Sequence, residues 1–163
     1  KEGPPEIRSR LHSCQKPQIT AVRNTLAALG VDLDSSGDPD TAGELLRNGT
    51  DALGGANYAA RSGESVTWTN SGATKAQDIF VMAASEVIAA LPTVEHCQID
   101  GAGPEMFDAS DNCNEDAISC ILGKPATADH VAICNAAVRD ADDIEKGKVI
   151  AVAALLAASM TCE

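Results

Sequence analysis

Asp32, Asp34, Ser36, Gly37 and Asp40, within the stretch V-D-L-D-S-S-G-D-P-D-T-A-G-E at residues 31–44, have the spacing of a calcium-binding loop. An EF-hand loop places oxygen ligands at positions one, three, five and nine, glycine at six and a bidentate glutamate at twelve. The match breaks at its end. Position twelve is Gly43, Glu44 falls one residue late, and Pro39 stands where an apolar residue normally anchors the loop. These departures argue against high affinity and leave a low-affinity calcium site at Asp32, Asp34, Ser36 and Asp40. The same residues serve as turn formers and a helix cap without any ion, and that structural role is the favoured expectation. No other cofactor is expected.

A second constellation involves nitrogen and sulfur. His12 and Cys14 lie two apart, and His96 and Cys97 are adjacent. Bringing the two segments together assembles two imidazoles and two thiolates, a donor set for zinc or copper. A Cys14–Cys97 disulfide with both histidines solvated beside it accounts for the same residues, and it is the preferred expectation. His130 reads as a surface residue in the first turn of a helix. No G-x-S-x-G, C-x-x-C-H, phosphate loop or dinucleotide fingerprint occurs. Asp142 and Asp143 suit a helix cap better than an acid and base pair. The chain is therefore expected to be non-enzymatic.

Six cysteines, Cys14, Cys97, Cys113, Cys120, Cys134 and Cys162, form an even set without a C-x-x-C pair. That pattern fits up to three disulfides in an exported protein rather than a metal ribbon or a thioredoxin-like redox motif. The expected location is extracellular, periplasmic or another oxidising lumen. The start K-E-G-P-P-E reads as a mature chain whose signal peptide has been removed.

Formal charge is -12. Between residues 95 and 145 a dozen carboxylates are offset only by Lys124 and Arg139. Such a surface repels phosphate backbones and argues against nucleic-acid binding, while it suits cations, basic partners or solubility. The apolar run V-I-A-V-A-A-L-L-A-A-S-M, residues 149–160, is too short to span a bilayer.

Hydrophobic residues make up 44% of the chain but aromatic residues only 2%. The core must then be aliphatic, with Tyr58, Trp68, Phe80 and Phe107 as rare large pieces, and Ala-rich helices are its natural walls. Ile19, Val22, Leu26 and Leu29 recur at helical spacing and Gly30 ends the pattern. Thr41 opens a short second helix with a capping box, for which Asp40 competes. Residues 50–72 read as a long loop, in which S-V-T-W-T at 65–69 carries Trp68 into the core. Phe80, Ala83, Ala84, Val87 and Leu91 form the stripe of a third helix between Gly72 and Pro92.

Residues 93–112 read as a second long loop, with Cys97 and Cys113 placed to pin its ends. A fourth helix over 114–122 stops at Gly123. A fifth starts near Thr127 and turns Val131, Cys134 and Val138 inward. Asp142 and Asp143 cap the last helix, whose Val149, Val152, Leu156 and Met160 face the core.

Three motifs resemble the helical domains of the planctomycete-type cytochrome c family. They are N-T-L-A-A-L-G-V-D-L at 24–33, W-T-N followed by F-V-M-A-A-S-E-V within 68–87, and the cysteine-led helices of 113–159, with K-P-A-T-A-D-H-V and G-K-V-I-A-V-A-A-L-L-A-A-S. The segments cover well over half the chain. The family's arginine pair, its closing Ser-Pro-aromatic element and any haem attachment site are missing. The resemblance implies an exported helical module accessory to redox or polysaccharide-processing machinery, and transfers no catalytic residue. L-G-G-A-N-Y and V-T-W beside Ala-rich helices are also similar to peridinin-chlorophyll carriers, although the shortage of aromatics and paired histidines argues against a pigment.

The sequence thus predicts one all-α domain over residues 1–163, with 1–13 as an extended arm. It is a bundle of five or six short helices, cross-linked by disulfides and broken by long irregular loops. The expected function is binding to other protein subunits or self-association. The alternative is a carrier of a small ligand, pigment or metal.

Overall fold

From Val149 to Ala158 the last described helix carries only apolar side chains, and such a stretch is stable when neighbouring helices cover most of it. In the computed structural model, which describes residues 15–160, this helix lies at the centre. The described elements are α1 (Ile19–Ala28), α2 (Ala42–Asn48), α3 (Asn70–Ala90), α4 (Glu115–Leu122), α5 (Ala128–Arg139) and α6 (Ile144–Ser159), with 3-10 turns at Leu91–Thr93 and Glu95–Cys97. The architecture is all-α, and the pairings outside helices are isolated bridges.

Helix α6 packs against α3, α5 and α4. Val152 and Leu156 are fully buried as expected, while Val149 and Met160 are only partly covered. The expected single stripe is too narrow: Ala151, Ala153 and Leu155 are buried as well. Alanine makes this possible, since its small side chain lets three neighbouring helices approach one axis. Gly147 carries the close approach to the end of α5, where an added Cβ would lie 2.8 Å from the Val138 carbonyl oxygen.

Local chemistry sets the helix ends. Thr41, Asn114, Thr127 and Asp143 each accept a backbone N–H in the first turn of α2, α4, α5 and α6, which satisfies donors that a helix start leaves bare. Thr41, rather than Asp40, caps α2. His130 is more than a surface residue, because its Nδ1 accepts the Thr127 N–H at 2.9 Å and completes a capping box. Helix α3 begins at Asn70, ahead of the expected start after Gly72. Thr69 accepts the Gly72 N–H at 3.0 Å, and Gly72 is buried within the first turn.

Among the described residues two disulfides form, Cys97–Cys120 and Cys113–Cys134, with Cα atoms 5.5 and 6.2 Å apart. The expected Cys14–Cys97 bond is thereby corrected. Cys97 sits buried in the 3-10 turn beyond α3, against α4, and its sulfur is already taken. His12, Cys14 and Cys162 lie outside the described residues. The ends of the 93–112 segment are indeed pinned, one to α4 and the other to α5. Cys113 N–H also donates to Asn135 Oδ1 on α5 at 2.7 Å.

The 50–72 segment is anchored by a charge pair absent from the sequence reading. Lys16 is 5% exposed, and its ammonium lies 2.8 Å from Glu64 and 5.8 Å from the centre of the Trp68 ring. Glu64 also accepts the Ile19 N–H at 2.7 Å, so one carboxylate joins the loop to the start of α1. Burial pushes the Glu64 pKa up, but the Lys16 hydrogen bond and the Ile19 amide outweigh it and hold the carboxyl below its ordinary value. Trp68 is half-buried against the core, as the sequence predicts.

Replacing Cys113 and Cys134 together by alanine should lower stability by about 3 kcal/mol, the chain-entropy value for a loop of this size, in urea denaturation; an unchanged midpoint would contradict the role. Glu64 has a depressed folded pKa, so its stabilisation is complete above its unfolded pKa and lost as pH falls through the folded one. Glu64→Gln should therefore cost about 2 kcal/mol at neutral pH, with the difference from wild type vanishing in acid, as followed by thermal melts across pH.

Candidate functional site

Helix α3, the 105–108 segment and the start of α6 enclose a groove of about 580 Å³. Its apolar surface comes from Ile88 and Pro92 on one wall, Met106 and Phe107 at the base, and Val149 opposite. Met106 and Phe107 are buried because the Cys97 and Cys113 attachments press the 93–112 segment onto the helices. By sequence alone this segment reads as a loop. A Met-Phe pair between turn residues was the available signal.

The groove carries acid on its edge. Glu105, Asp108 and Glu145 line it, together with Lys148. The Lys148 ammonium is 2.7 Å from Asp111 and 2.7 Å from Glu145, and 5.6 Å from the centre of the Phe107 ring. Its hydrogen bond to Asp111, then that to Glu145, hold its pKa above the ordinary lysine value. It stays a cation whose charge is already matched. Asp108 accepts from the Asn112 side chain and from the Asn112 and Ser110 amides, which draws its carboxyl below the usual range. Both groups are held in place by these partners, and the edge presents their charges to solvent.

The apolar surface continues past the groove. Val81, Val149 and Ile150 line an adjoining depression beside Glu145 and Lys146, and Ile150 is 53% exposed. Ile144 and Ile133 are also open to solvent.

His96, Cys97 and Cys120 form a cluster whose ligand atoms lie within 4.8 Å of one another. The two sulfurs are bonded to each other, and a disulfide sulfur is not the thiolate that zinc or copper requires. His96 is then the remaining donor, on the wall of a second depression of about 400 Å³ shared with Thr25, Ala28 and Leu122. The alternative His12, Cys14, His96 and Cys97 donor set loses the Cys97 thiolate to the bond with Cys120, while His12 and Cys14 lie outside the described residues.

In the 31–44 stretch, Asp32, Asp34, Ser36 and Asp40 are exposed, and their acidic members do not belong to the convergent ligand cluster found among the described residues. Asp32 Oδ1 accepts the Asp34 N–H at 3.0 Å, the turn-forming role that short acidic side chains perform. Arg47 donates to the carbonyls of Leu33 and Ser35, and Glu44 accepts the Gly37 N–H at 3.2 Å. Gly43 explains the missing ligand at position twelve. An added Cβ there would lie 2.5 Å from the Leu33 carbonyl oxygen and 2.8 Å from that of Asp32, so α2 packs on the loop only through glycine.

No family model, curated protein or solved structure matches the chain. Function is therefore read from the geometry.

Asp32 Oδ1 is engaged by the Asp34 amide, and Gly43 leaves the loop without the bidentate carboxylate of position twelve. Calcium titrated into wild type, Asp32→Ala and Asp34→Ala should accordingly give the same heats in all three. A heat present in wild type and lost in both variants would establish a calcium site at this loop.

Proposed function

We propose that the chain is an exported, non-enzymatic helical module that binds another protein as part of an assembly. The observation that carries this reading is the groove along α3 and α6, with its apolar base and acidic edge. Contiguous apolar surface bordered by charge is characteristic of interaction sites on soluble domains. Two disulfides are compatible with an oxidising compartment, and no helix among the described residues is long and apolar enough to cross a membrane. The -12 charge favours a basic partner over nucleic acid and over a second copy of the same chain. The family resemblance adds redox or polysaccharide-processing machinery as the setting.

A small-ligand carrier is the second reading. It is favoured by the groove's volume of about 580 Å³, which falls in the usual range for ligand pockets.

Sedimentation and native mass spectrometry of untagged protein separate the two. The module should sediment with a co-purifying protein and show, once released, the mass of the bare oxidised polypeptide. A monomer with no protein partner would contradict the proposal, and a mass increment of a few hundred daltons, roughly one small molecule, would favour the carrier.

A further inference from the structure

We propose that the groove between α3 and α6 receives a cationic, amphipathic helix of the partner protein. This deepens the protein-binding reading and rests on it. Val81, Ser85, Ile88 and Pro92 stand on one face of α3 and its end, at intervals that keep them in line. Glu145, Val149 and Ile150 face the same track from α6. At the helical rise the α3 side measures about 16 Å, the length of three turns of a docked helix. Met106 and Phe107 close the base at one end, and the exposed Ile150 stands at the other. Such a track suits apolar anchors projecting from one side of a helix at positions i, i+3, i+4 and i+7.

Charge decides what the other side of that helix must be. Glu105 and Asp108 stand at the edge, and no lysine or arginine is paired with either among the described residues. Lys148 does not neutralise them, because Asp111 and Glu145 hold its ammonium. Lys146 lines the Ile150 end, so the partner's cations belong at the Glu105 and Asp108 end. A second copy of this chain would bring its own net charge of -12 to an acidic edge. Like-charge juxtaposition disfavours that occupant.

The probe is a synthetic peptide of about 14 residues, long enough to cover the track as a helix. Leucines form one face and lysines the other. Fluorescence anisotropy at low salt should give micromolar binding that weakens as salt is raised. A peptide with glutamate in place of lysine should not bind, and a scrambled peptide of the same composition should bind at least roughly fivefold more weakly. Glu105→Lys and Ser85→Arg alter exposed positions, one reversing edge charge and the other filling the track. Each should weaken binding roughly five- to tenfold. Asp51→Lys makes the same charge change outside the groove and should leave affinity within about twofold. Circular dichroism of each variant verifies folding, and either variant alone suffices if the other fails to fold.

Absence of peptide binding would overturn the proposal. So would equal binding of the scrambled peptide, or an Asp51→Lys effect as large as that of Glu105→Lys. A dimer broken by Ser85→Arg would make a second copy the occupant and overturn it too. A natural partner retained equally by wild type and both groove variants would remove the groove while leaving the protein-binding reading intact.

Discussion

Burial of the apolar body of α6, from Ala151 to Leu156, against three other helices is the constraint on which the rest of this structure depends. A helix lined with alanine, valine and leucine cannot sit at a surface, so α3, α4 and α5 must cover it, and the small side chains set how near they come. With so few aromatic residues, the core gains its burial from many aliphatic contacts rather than a few large ones. The beginning of the same helix emerges from this cover. There it presents Glu145, Lys148, Val149 and Ile150, which is why the groove lies beside it.

The disulfides act where the helices do not. Between α3 and α4 the chain travels through turns and isolated bridges, with little regular hydrogen bonding of its own. Cys97–Cys120 and Cys113–Cys134 fix the two ends of that segment to α4 and α5, and the segment in turn lays Met106 and Phe107 under the groove. Bracing and binding surface are thus one construction. Glu64 has a similar office on the opposite loop, where one carboxylate engages Lys16 and the first amide of α1.

Features governed by neighbouring residues were legible in the sequence. The caps at Thr41, Asn114, Thr127 and Asp143 and the stop at Gly123 depend on contacts within a few positions, so their signals are local. Gly72 reads as a helix breaker and so places the α3 start too late, whereas Thr69 caps the helix ahead of it. Cysteine pairing was not legible: Cys97 bonds 23 positions ahead to Cys120, a choice made by packing. The Lys16–Glu64 pair, 48 positions apart, was hidden for the same reason. The calcium-like stretch shows the reverse case. Its spacing reads as a metal loop, yet the identity of Gly43 is dictated by the backbone of Leu33 and Asp32 beneath it.

If α6 is the element that everything else encloses, its backbone should open only when the whole domain opens. Native-state amide hydrogen exchange measures this directly. Amides of Ala151, Val152, Ala153 and Leu156 are expected to be the slowest in the protein, exchanging at the rate set by global unfolding. Exchange there as fast as in α1 or α2 would contradict the account, because α6 would then lie at an edge and not at the centre.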